Sequence, residues 1–309
     1  MKQAIVTTTI NSPTEATLKF CRKKDWTFVI VGDLKTPDDE YRRLAAEHPN
    51  VIYLDSNQQE SKYKQLSDAI GWNCIERRNI GFVEAYHLGA EVIATVDDDN
   101  IPYDCWGENL LVNREISVDL YEPTQEVFDP LSVTGDNYLW HRGFPIELLR
   151  GRLDVEYKGK TRRRVLVQAD LWDGDPDIDA LARLTYRPIV KYDSVREPYC
   201  SNRIAPFNSQ NTFIARDVLP CYAVLPNVGR MDDVWGGYIL QHYFPASVVY
   251  NRASVYQERN LQDLVTNLER EVIGYRNTLK LIQDLENYES VIPAEAAEFF
   301  RIYRSQFSG

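Results

Sequence analysis

The stretch from Arg78 to Asn100 reads RNIGFVEAYHLGAEVIATVDDDN, and it predicts a helix, a tight turn, a buried strand and an acidic end in direct succession. Apolar residues between Ile80 and Leu88 recur at helical spacing. Gly89 follows where helices commonly end on a left-handed residue. Residues 91–96 then form a short β-branched apolar run, which is typical of a buried strand in a parallel sheet. The stretch therefore predicts one helix–strand unit of an α/β fold.

Three adjacent carboxylates, Asp97, Asp98 and Asp99, follow that predicted strand. Neighbouring carboxylates repel one another, and burying them without a countercharge is costly. Ligands of open α/β sheets bind outside the carboxyl ends of the strands, and a hard divalent cation with oxygen ligands relieves such repulsion. The triplet therefore predicts a metal-binding end of the sheet, although a solvated, capping turn is the alternative. An EF-hand loop is excluded because Pro102 stands where that loop needs glycine.

Length and composition limit the class of protein. The chain has 309 residues, of which 44% are hydrophobic, so it can bury a large core and is too apolar for disorder. A net charge of -11 argues against nucleic-acid binding. Five scattered cysteines without a CxxC pair support neither a zinc site nor a disulfide framework. The start MKQAIVTTTI already has a strand pattern, and no signal peptide or spanning segment is recognisable, which predicts a soluble, cytoplasmic protein.

The N-terminal region has a strand–helix–strand pattern, with a strand at Ala4–Ile10, a helix at Thr14–Cys21 and a second strand at Trp26–Val31. Polar residues follow both strands. This is the arrangement of a nucleotide-binding fold, although turn and capping chemistry explains the same residues. Neither GxGxxG nor a Walker sequence is present, so a dinucleotide or P-loop site is not expected. The candidate nucleotide contacts here are Thr8, Thr9, Asn11, Asp33 and Lys35.

Six sequence blocks run in order over roughly residues 5–245. They are GDLKTPDD (Gly32–Asp39), ERRNIGFVEAYHLGAEVIATVDDDN (Glu76–Asn100), RGFPIELL (Arg142–Leu149), LWDGDPDID (Leu171–Asp179), NSQNTFIARD (Asn208–Asp217) and GRMDDVWGGYI (Gly229–Ile239). Together they resemble the STELLO-type glycosyltransferase family, and they are also similar to the plant reversibly glycosylated polypeptides, which act as UDP-arabinopyranose mutases. The resemblance implies a GT-A fold with a mixed central sheet flanked by helices, a nucleotide-sugar donor, and Mn²⁺ or Mg²⁺ at the acidic triplet as a DXD motif.

The central helix and the polar segments supply further donor-site candidates. Arg78 and Asn79 open that helix, where a guanidinium and free backbone N–H groups can meet a pyrophosphate; a surface Arg78–Glu76 ion pair is the alternative. Trp172 can form a platform for a sugar face or belong to the core. Asn211 ends a run of four uncharged polar residues, which orient hydroxyls or make ordinary turns.

The acceptor side has its own candidates. Asp232 and Asp233 precede a predicted helix at Val234–Tyr243, so they act either as base and charge-stabilising group or as helix caps. His242 is a candidate metal ligand, and a structural role is the alternative. Arg142 matches the first arginine of the mutases' RGYPF-type segment, and it suits a sugar or phosphate contact or a buried ion pair. Arg150 lies one residue beyond the position of the second arginine.

The C-terminal sequence is strongly helical from Asn260 onward. One apolar stripe predicts a helix that packs on the sheet or makes a homo-oligomer contact; its members are Leu261, Leu264, Val265, Leu268, Val272 and Tyr275. Pro293 is expected to open a last helix. The sequence therefore predicts a catalytic GT-A domain over residues 1–250 and a helical extension over 251–309.

The function predicted is a metal-dependent glycosyltransferase of polysaccharide biosynthesis, which moves a sugar from a nucleoside-diphosphate donor, a UDP-sugar, to a glycan or lipid-linked acceptor. A UDP-sugar pyranose/furanose mutase and a non-catalytic nucleotide-fold scaffold are the alternatives. Metal binding is assigned to Asp97 and Asp99 with His242, and catalysis to Asp232, Asp233, Arg142 and Arg150. The donor contacts predicted are Thr8, Thr9, Asn11, Asp33, Lys35, Arg78, Asn79, Asp97, Asp98, Trp172 and Asn211.

Overall fold

The computed structural model describes residues 1–258 and 262–307. The strands are β1 (Gln3–Thr8), β2 (Trp26–Val31), β3 (Val51–Leu54), β4 (Val92–Val96), β5 (Asn100–Pro102), β6 (Glu115–Pro123), β7 (Val155–Arg164), β8 (Val167–Gly174), β9 (Tyr199–Cys200), β10 (Asn211–Ala215) and β11 (Val248–Gln257). The helices are α1 (Glu15–Cys21), α2 (Asp38–Glu47), α3 (Ser56–Ile70), α4 (Arg78–His87), α5 (Ala180–Tyr186), α6 (Asp232–Tyr243), α7 (Leu264–Gln283), α8 (Tyr288–Val291) and α9 (Ala294–Ser305).

The described strands form one mixed sheet in the order β3-β2-β1-β4-β10-β8-β11-β9-β6-β7, with β5 paired to β11. This confirms the predicted mixed α/β sheet flanked by helices. The first four strands in that order are parallel. The chain moves outward from β1 to β3 and then returns to the other side of β1 as β4. The carboxyl ends of β1 and β4 therefore flank a topological switch point, where open α/β sheets bind ligands.

The helix–strand unit predicted around the acidic triplet is confirmed. Helix α4 and strand β4 have the expected places, every residue of β4 is buried, and Gly89 adopts a φ of 80° between them. The predicted strand at Trp26–Val31 also matches β2. Helix α3 begins at Ser56, where Asp55 and Gln58 form a capping box.

Strand β10 joins the two halves of the sheet. It runs antiparallel to β4, with Asn211 opposite Val96. The residues that enter β10 therefore lie beside the carboxyl end of β4, next to the acidic triplet. On its other edge β10 pairs with β8, which in turn runs parallel to β11. This arrangement places residues from both halves of the chain at one end of the sheet.

The C-terminal segment packs against the same body as the sheet. The predicted domain boundary at residue 250 falls inside β11, a strand paired with both β8 and β9. Helix α9 packs against α3, and the Tyr303 hydroxyl donates to the Leu219 carbonyl at 3.3 Å. Leu261 of the predicted apolar stripe lies outside the described residues. Residues 251–307 are thus continuous with the sheet wherever the structure describes them.

Among the described residues, no helix combines the length and apolarity that crossing a membrane requires.

Candidate functional site

A cavity of about 570 Å³ opens at the carboxyl ends of the central strands. Two groups of carboxylates face it from different parts of the chain, Asp97 and Asp99 after β4 and Asp232 and Asp233 at the start of α6. The walls between them come from the loop before α4, the residues entering β10, the turn before α6 and the first turns of α7. The sequence-predicted acidic groups are therefore brought to one site.

Arg78 is the countercharge of the first carboxylate group. Its side chain is almost completely buried, and its guanidinium donates to Asp97 Oδ1. Its Nη1 donates to the Ser209 carbonyl at 2.9 Å and to the Ser209 hydroxyl at 2.7 Å. Neither the predicted surface pair with Glu76 nor an open phosphate-facing guanidinium describes this arrangement. Arg78 instead ties the end of β4 to the residues that enter β10.

Ser209 links Arg78 to the second carboxylate group. Its backbone N–H and its hydroxyl donate to Asp233 Oδ2 at 2.8 and 3.0 Å. Asp233 also pairs with Arg142, whose Nη1 lies 3.0 Å from Oδ1. Burial alone would raise the pKa of Asp233, but Arg142 outweighs that effect and holds the pKa below its usual value. Asp233 is therefore a fixed anion within the cavity wall.

Asp232 is in the opposite electrostatic state. Burial, and then the charge of the adjacent Asp233, raise the pKa of Asp232 well above the usual carboxyl value. Arg142 lies 3.6 Å away, farther than from Asp233, and offsets this only in part. Neighbouring carboxyls whose pKa values are driven apart can divide into a proton carrier and a permanent anion. Asp232 therefore favours the protonated form and Asp233 the ionised form.

Arg142 is the buried centre of the second group. Its Nε and Nη2 each donate to Asp177 at 2.8 Å, and its Nη1 donates to the Arg230 carbonyl. Asn208 Nδ2 donates to the same Asp177 at 2.9 Å. The buried ion pair that was the alternative for Arg142 describes its contacts, since Arg142 is only 4% exposed and pairs with Asp177 and Asp233. Helix α6 begins without a side-chain cap at its N-cap residue. The guanidinium fork is fully used in orienting carboxylates.

The three triplet carboxylates do not point the same way. Asp98 turns from the cavity and accepts hydrogen bonds from the Thr9 hydroxyl and from Asn11 Nδ2, while its carbonyl accepts from Thr14. Asp97 and Asp99 line the cavity, and Gln257 Nε2 donates to Asp99 at 3.4 Å. Thr9 and Asn11, which the sequence suggested as nucleotide contacts, thus orient Asp98.

The orientation of the triplet carboxylates determines which of them could bind a divalent metal. Among the residues that the structure describes, no three His, Cys, Asp or Glu side chains form a cluster able to hold a metal ion. Two cavity-facing carboxylates nevertheless suit Mg²⁺-like cations, which commonly take one or two carboxylates and complete their shell with substrate phosphates and water. Asp97 and Asp99 therefore fit a cation that arrives with its phosphate ligand.

Three other predicted donor contacts, Asp33, Thr8 and Lys35, do not line the cavity themselves. The Asp33 carboxylate accepts from the backbone N–H groups of Asn73 and Cys74 at 2.9 and 3.1 Å, and so it shapes the loop that lines the cavity. The Thr8 hydroxyl donates to the Val31 carbonyl at 2.9 Å. Lys35 is exposed on the following loop and does not line this cavity.

Five further predicted site residues are not brought to the cavity. Asn79 and Asn211 are fully buried, and their amides bond to Val224 and to Leu171, Ser254 and Trp106. Trp172 belongs to the hydrophobic core. Arg150 is exposed beyond the 142–145 turn. His242 lies at the far end of α6, about 15 Å along the axis from Asp232, which is too far for a shared metal.

Sequence reasoning missed the residues that hold the site together. Asp177 stood inside the block Leu171–Asp179 and was not given a role there. Ser209 stood in the polar run before β10, and the antiparallel placement of β10 beside β4 was the missing information. Arg230 and Arg270 line the cavity from the turn before α6 and from α7, and Glu271 binds Arg230. Only the packing of α7 reveals these last three.

Comparison with known proteins adds two related sequences. The probable glycosyltransferase STELLO2 of Arabidopsis thaliana is 23% identical over 298 residues, covering 86% of this chain and 38% of that protein. STELLO1 of the same plant is 22% identical over 302 residues, with the same coverage. The chain thus spans well under half the length of these relatives. No family model matches the sequence.

Solved structures give weaker likenesses. Glucosyl-3-phosphoglycerate synthase from Mycobacterium tuberculosis, in complex with Mn²⁺, UDP and phosphoglyceric acid, is 11% identical with a TM-score of 0.46 and covers 90% of this chain and 77% of its own. The mannosyltransferase PcManGT from Pyrobaculum calidifontis, with GDP-mannose and Mn²⁺, is 10% identical with a TM-score of 0.39, at 99% and 84% coverage. Scores in this range do not establish a common fold.

The sequence comparison confirms the predicted resemblance to the STELLO glycosyltransferases over most of the chain. The predicted relation to the UDP-arabinopyranose mutases stays a prediction.

Proposed function

We propose that this protein is a metal-dependent glycosyltransferase of GT-A type that uses a nucleoside-diphosphate sugar, with UDP as the nucleotide. One observation carries the proposal. The two carboxylate groups meet in a single cavity at the switch point of the sheet, joined by the chain Asp97–Arg78–Ser209–Asp233. The similarity to STELLO1 and STELLO2 supports the reaction class.

In this proposal the end of β4 receives the donor. Asp97 and Asp99 would hold a divalent cation, which neutralises charge on the leaving diphosphate. Asp97 is already oriented by Arg78, so one of its oxygens is fixed before the donor arrives. The loop at residues 73–76, held by Asp33, forms the neighbouring wall, where the nucleoside would lie.

The start of α6 serves the acceptor in this proposal. A general base works best when its pKa lies close to the working pH. Asp232 lines the cavity, and once ionised a carboxylate with a raised pKa is a stronger base for the proton of an acceptor hydroxyl. Asp233 stays ionised between Arg142 and Ser209, and a fixed anion there would stabilise positive charge on the sugar ring. A glycan or a lipid-linked sugar is the predicted acceptor.

Calorimetry tests the donor half of the proposal. UDP, GDP and UMP would each be titrated into the protein with and without Mn²⁺. We expect UDP to bind substantially tighter with Mn²⁺, and Mn²⁺ alone to bind weakly, because the phosphates complete the ion's ligand shell. The same affinity for UDP in the presence and absence of Mn²⁺ would remove the metal from the proposal.

Product analysis tests the reaction class. A UDP-sugar would be incubated with Mn²⁺, with and without an acceptor glycan, and the products separated. We expect release of UDP with a new glycosidic product only when the acceptor is present. Interconversion of pyranose and furanose forms without an acceptor would replace the proposal with a mutase. Binding of donors without turnover would indicate a scaffold protein.

A further inference from the structure

We propose that helix α7 completes the cavity with an oxyanion subsite made of Arg230 and Arg270, in which Glu271 is the positioning residue for Arg230. The ligand class is a phosphate or similar oxyanion. The inference deepens the proposed function and rests on it for the identity of the reaction. It gives the C-terminal helices a place in the site, where the sequence suggested only packing or oligomer contact.

The first step is the close packing of α7 on the turn at Gly229–Met231. Gly229 has a φ of +62°, and a Cβ there would lie 2.1 Å from the Arg270 carbonyl oxygen. One turn further along α7, a Cβ on Gly274 would lie 2.6 Å from the Met231 sulfur. The first contact needs glycine, because a Cβ there would collide with backbone, and the second is close enough that Met231 would have to shift. The position of α7 is therefore locked to the residues that precede Asp232.

The second step is the ion pair between these two contacts. Arg230 Nε donates to Glu271 Oε1 at 2.9 Å, and Glu271 is only 1% exposed. The other oxygen of Glu271 accepts from the Ala180 N–H at 2.9 Å, at the start of α5. Both oxygens of Glu271 are thus fixed, and the carboxylate cannot turn away. A charged hydrogen bond to such a buried, immobile carboxylate sets the direction of the Arg230 guanidinium.

The arginines that line the cavity differ in how many of their N–H groups already have partners. Arg78 and Arg142 use their terminal guanidinium nitrogens on Asp97, Ser209, Asp177 and Asp233, and Arg78 Nε is buried. Arg230 uses Nε on Glu271, and its Nη2 lies 3.8 Å from Asp177, beyond hydrogen-bond distance. Arg270 is exposed at the cavity and forms no ion pair within residues 1–258 and 262–307. Arg230 and Arg270 therefore retain N–H groups for a ligand.

The fourth step is the charge of the cavity. Five acidic side chains line it, namely Glu76, Asp97, Asp99, Asp232 and Asp233, and the whole chain carries a net charge of -11. An incoming phosphate is repelled by that field unless local cations receive it. Two guanidinium groups on one wall, each able to hold two oxygens, supply that attraction. The oxyanion has two sources, the donor diphosphate or an anionic acceptor.

The experiment compares four variants with the parent protein: Arg230→Ala, Arg270→Ala, Glu271→Gln and, as the matched control, Arg276→Ala. Arg276 is an exposed arginine of α7 that does not line the cavity. Calorimetry would measure UDP, uridine and inorganic pyrophosphate binding. For UDP we expect losses of about 10- to 100-fold in Arg230→Ala and Arg270→Ala, and about 3- to 10-fold in Glu271→Gln. The control should keep parental affinity, and uridine binding should be unchanged throughout.

Uridine binding separates a ligand contact from a structural role. A displaced α7 would deform the cavity for every ligand, and the affinity for uridine would then fall as well. Arg270 is exposed, so Arg270→Ala remains informative if Arg230→Ala folds poorly. Pyrophosphate carries no nucleoside and tests the subsite by itself: if the parent binds pyrophosphate through the two arginines but not UDP, the nucleotide proposal fails and the subsite stands.

The source of the oxyanion is read from the pattern of losses. Weaker UDP binding in the arginine variants assigns the subsite to the donor diphosphate. Unchanged UDP binding, with loss of pyrophosphate binding to the UDP-saturated protein, assigns it to an anionic acceptor. The proposal would be overturned if the parent, both arginine variants and Arg276→Ala all bound UDP with one affinity and all bound pyrophosphate with one affinity.

Discussion

The two carboxylate groups of the cavity are held in different ways. Asp97 and Asp99 are half-buried at the end of a strand, where Arg78 pairs with Asp97 and Gln257 donates to Asp99. Asp233 is 4% exposed and accepts from Ser209 and Arg142. Arg142 is held in turn by Asp177, which also accepts from Asn208. The end of β4 therefore leaves ligand positions for a soluble ion, whereas the start of α6 has its countercharges built in. A donor is expected to complete the first group and an acceptor to react at the second.

The strongest test of this contrast is Asp232→Asn. If Asp232 carries the acceptor's proton, the amide should lower kcat by about 10²- to 10⁴-fold and leave UDP affinity within about twofold. Steady-state turnover and UDP calorimetry on the same preparation would measure both. Asp39→Asn, a change at an exposed residue of α2, is the control. Parental turnover in Asp232→Asn would exclude a catalytic role for Asp232 and leave it only a place in the first turn of α6.

The bracing of α7 makes a separate prediction about stability and pH. Burial, and then the neighbouring Glu271, raise the pKa of Asp179 to about 7. The Tyr275 hydroxyl lies 3.1 Å from Asp179 and 3.2 Å from Glu271, and its single proton can satisfy only one of them. The unfolded carboxyl has a pKa of about 3.9, so the folded state binds the extra proton between about pH 4 and pH 7.

Stability should therefore fall as pH rises through that window and level off above it. The slope from this one group reaches about 1.4 kcal/mol per pH unit, or about 2–3 kcal/mol from pH 5 to pH 7. Asp179→Asn cannot titrate and should remove that part of the fall. Urea unfolding of parent and variant at both pH values would measure it. An identical pH dependence in the two proteins would show that Asp179 is ionised in the folded state.

Arg142→Lys tests the built-in countercharges. A lysine keeps the charge but cannot hold Asp177 and Asp233 with one planar fork. Loss of one charged hydrogen bond is worth about 1.5–3 kcal/mol, so kcat/KM should fall by about 10- to 100-fold. Arg150→Lys is the control, because Arg150 is exposed. A loss confined to Arg150→Lys would transfer the role to that residue.

The same contrast explains how far the sequence alone could go. The end of β4 is local in sequence: the β-branched run, Gly89 and the acidic triplet together predict a strand end facing a ligand. The bounds of β2 and β3 follow from the same short-range patterns. Asp98 turns away from the cavity because Thr9 and Asn11 hold it, and that contact depends on how β1 lies beside β4. Short-range patterns do not contain that register.

The start of α6 is non-local in every respect. Its countercharge network comes from residues 142, 177 and 209, and α7 packs closely because residue 229 is a glycine, with Gly274 leaving room for Met231. Asn79, Asn211 and Trp172 were assigned to the site from residue type alone. Each side chain instead finds its partners in the protein interior, because a buried amide or indole needs local hydrogen-bond partners whether or not a ligand is bound. Residue chemistry predicted the carboxylates, and only packing identified what holds them.

Asp99→Ala gives the sharpest comparison within the triplet, although its expected effect is the smallest in free energy. Asp99 lines the cavity and Asp98 does not, so the two should differ in metal-dependent donor binding. Removing one of two carboxylate ligands should weaken UDP binding in Mn²⁺ by at least about tenfold, or about 1.4 kcal/mol, and leave metal-free UDP binding unchanged. Asp98→Asn should retain the metal effect, because its carboxylate serves Thr9 and Asn11. Calorimetry with and without Mn²⁺ on both variants measures the difference. Equal losses in the two would mean that the triplet acts as one charge cluster, and a loss confined to Asp98→Asn would move the ion to the β1 side.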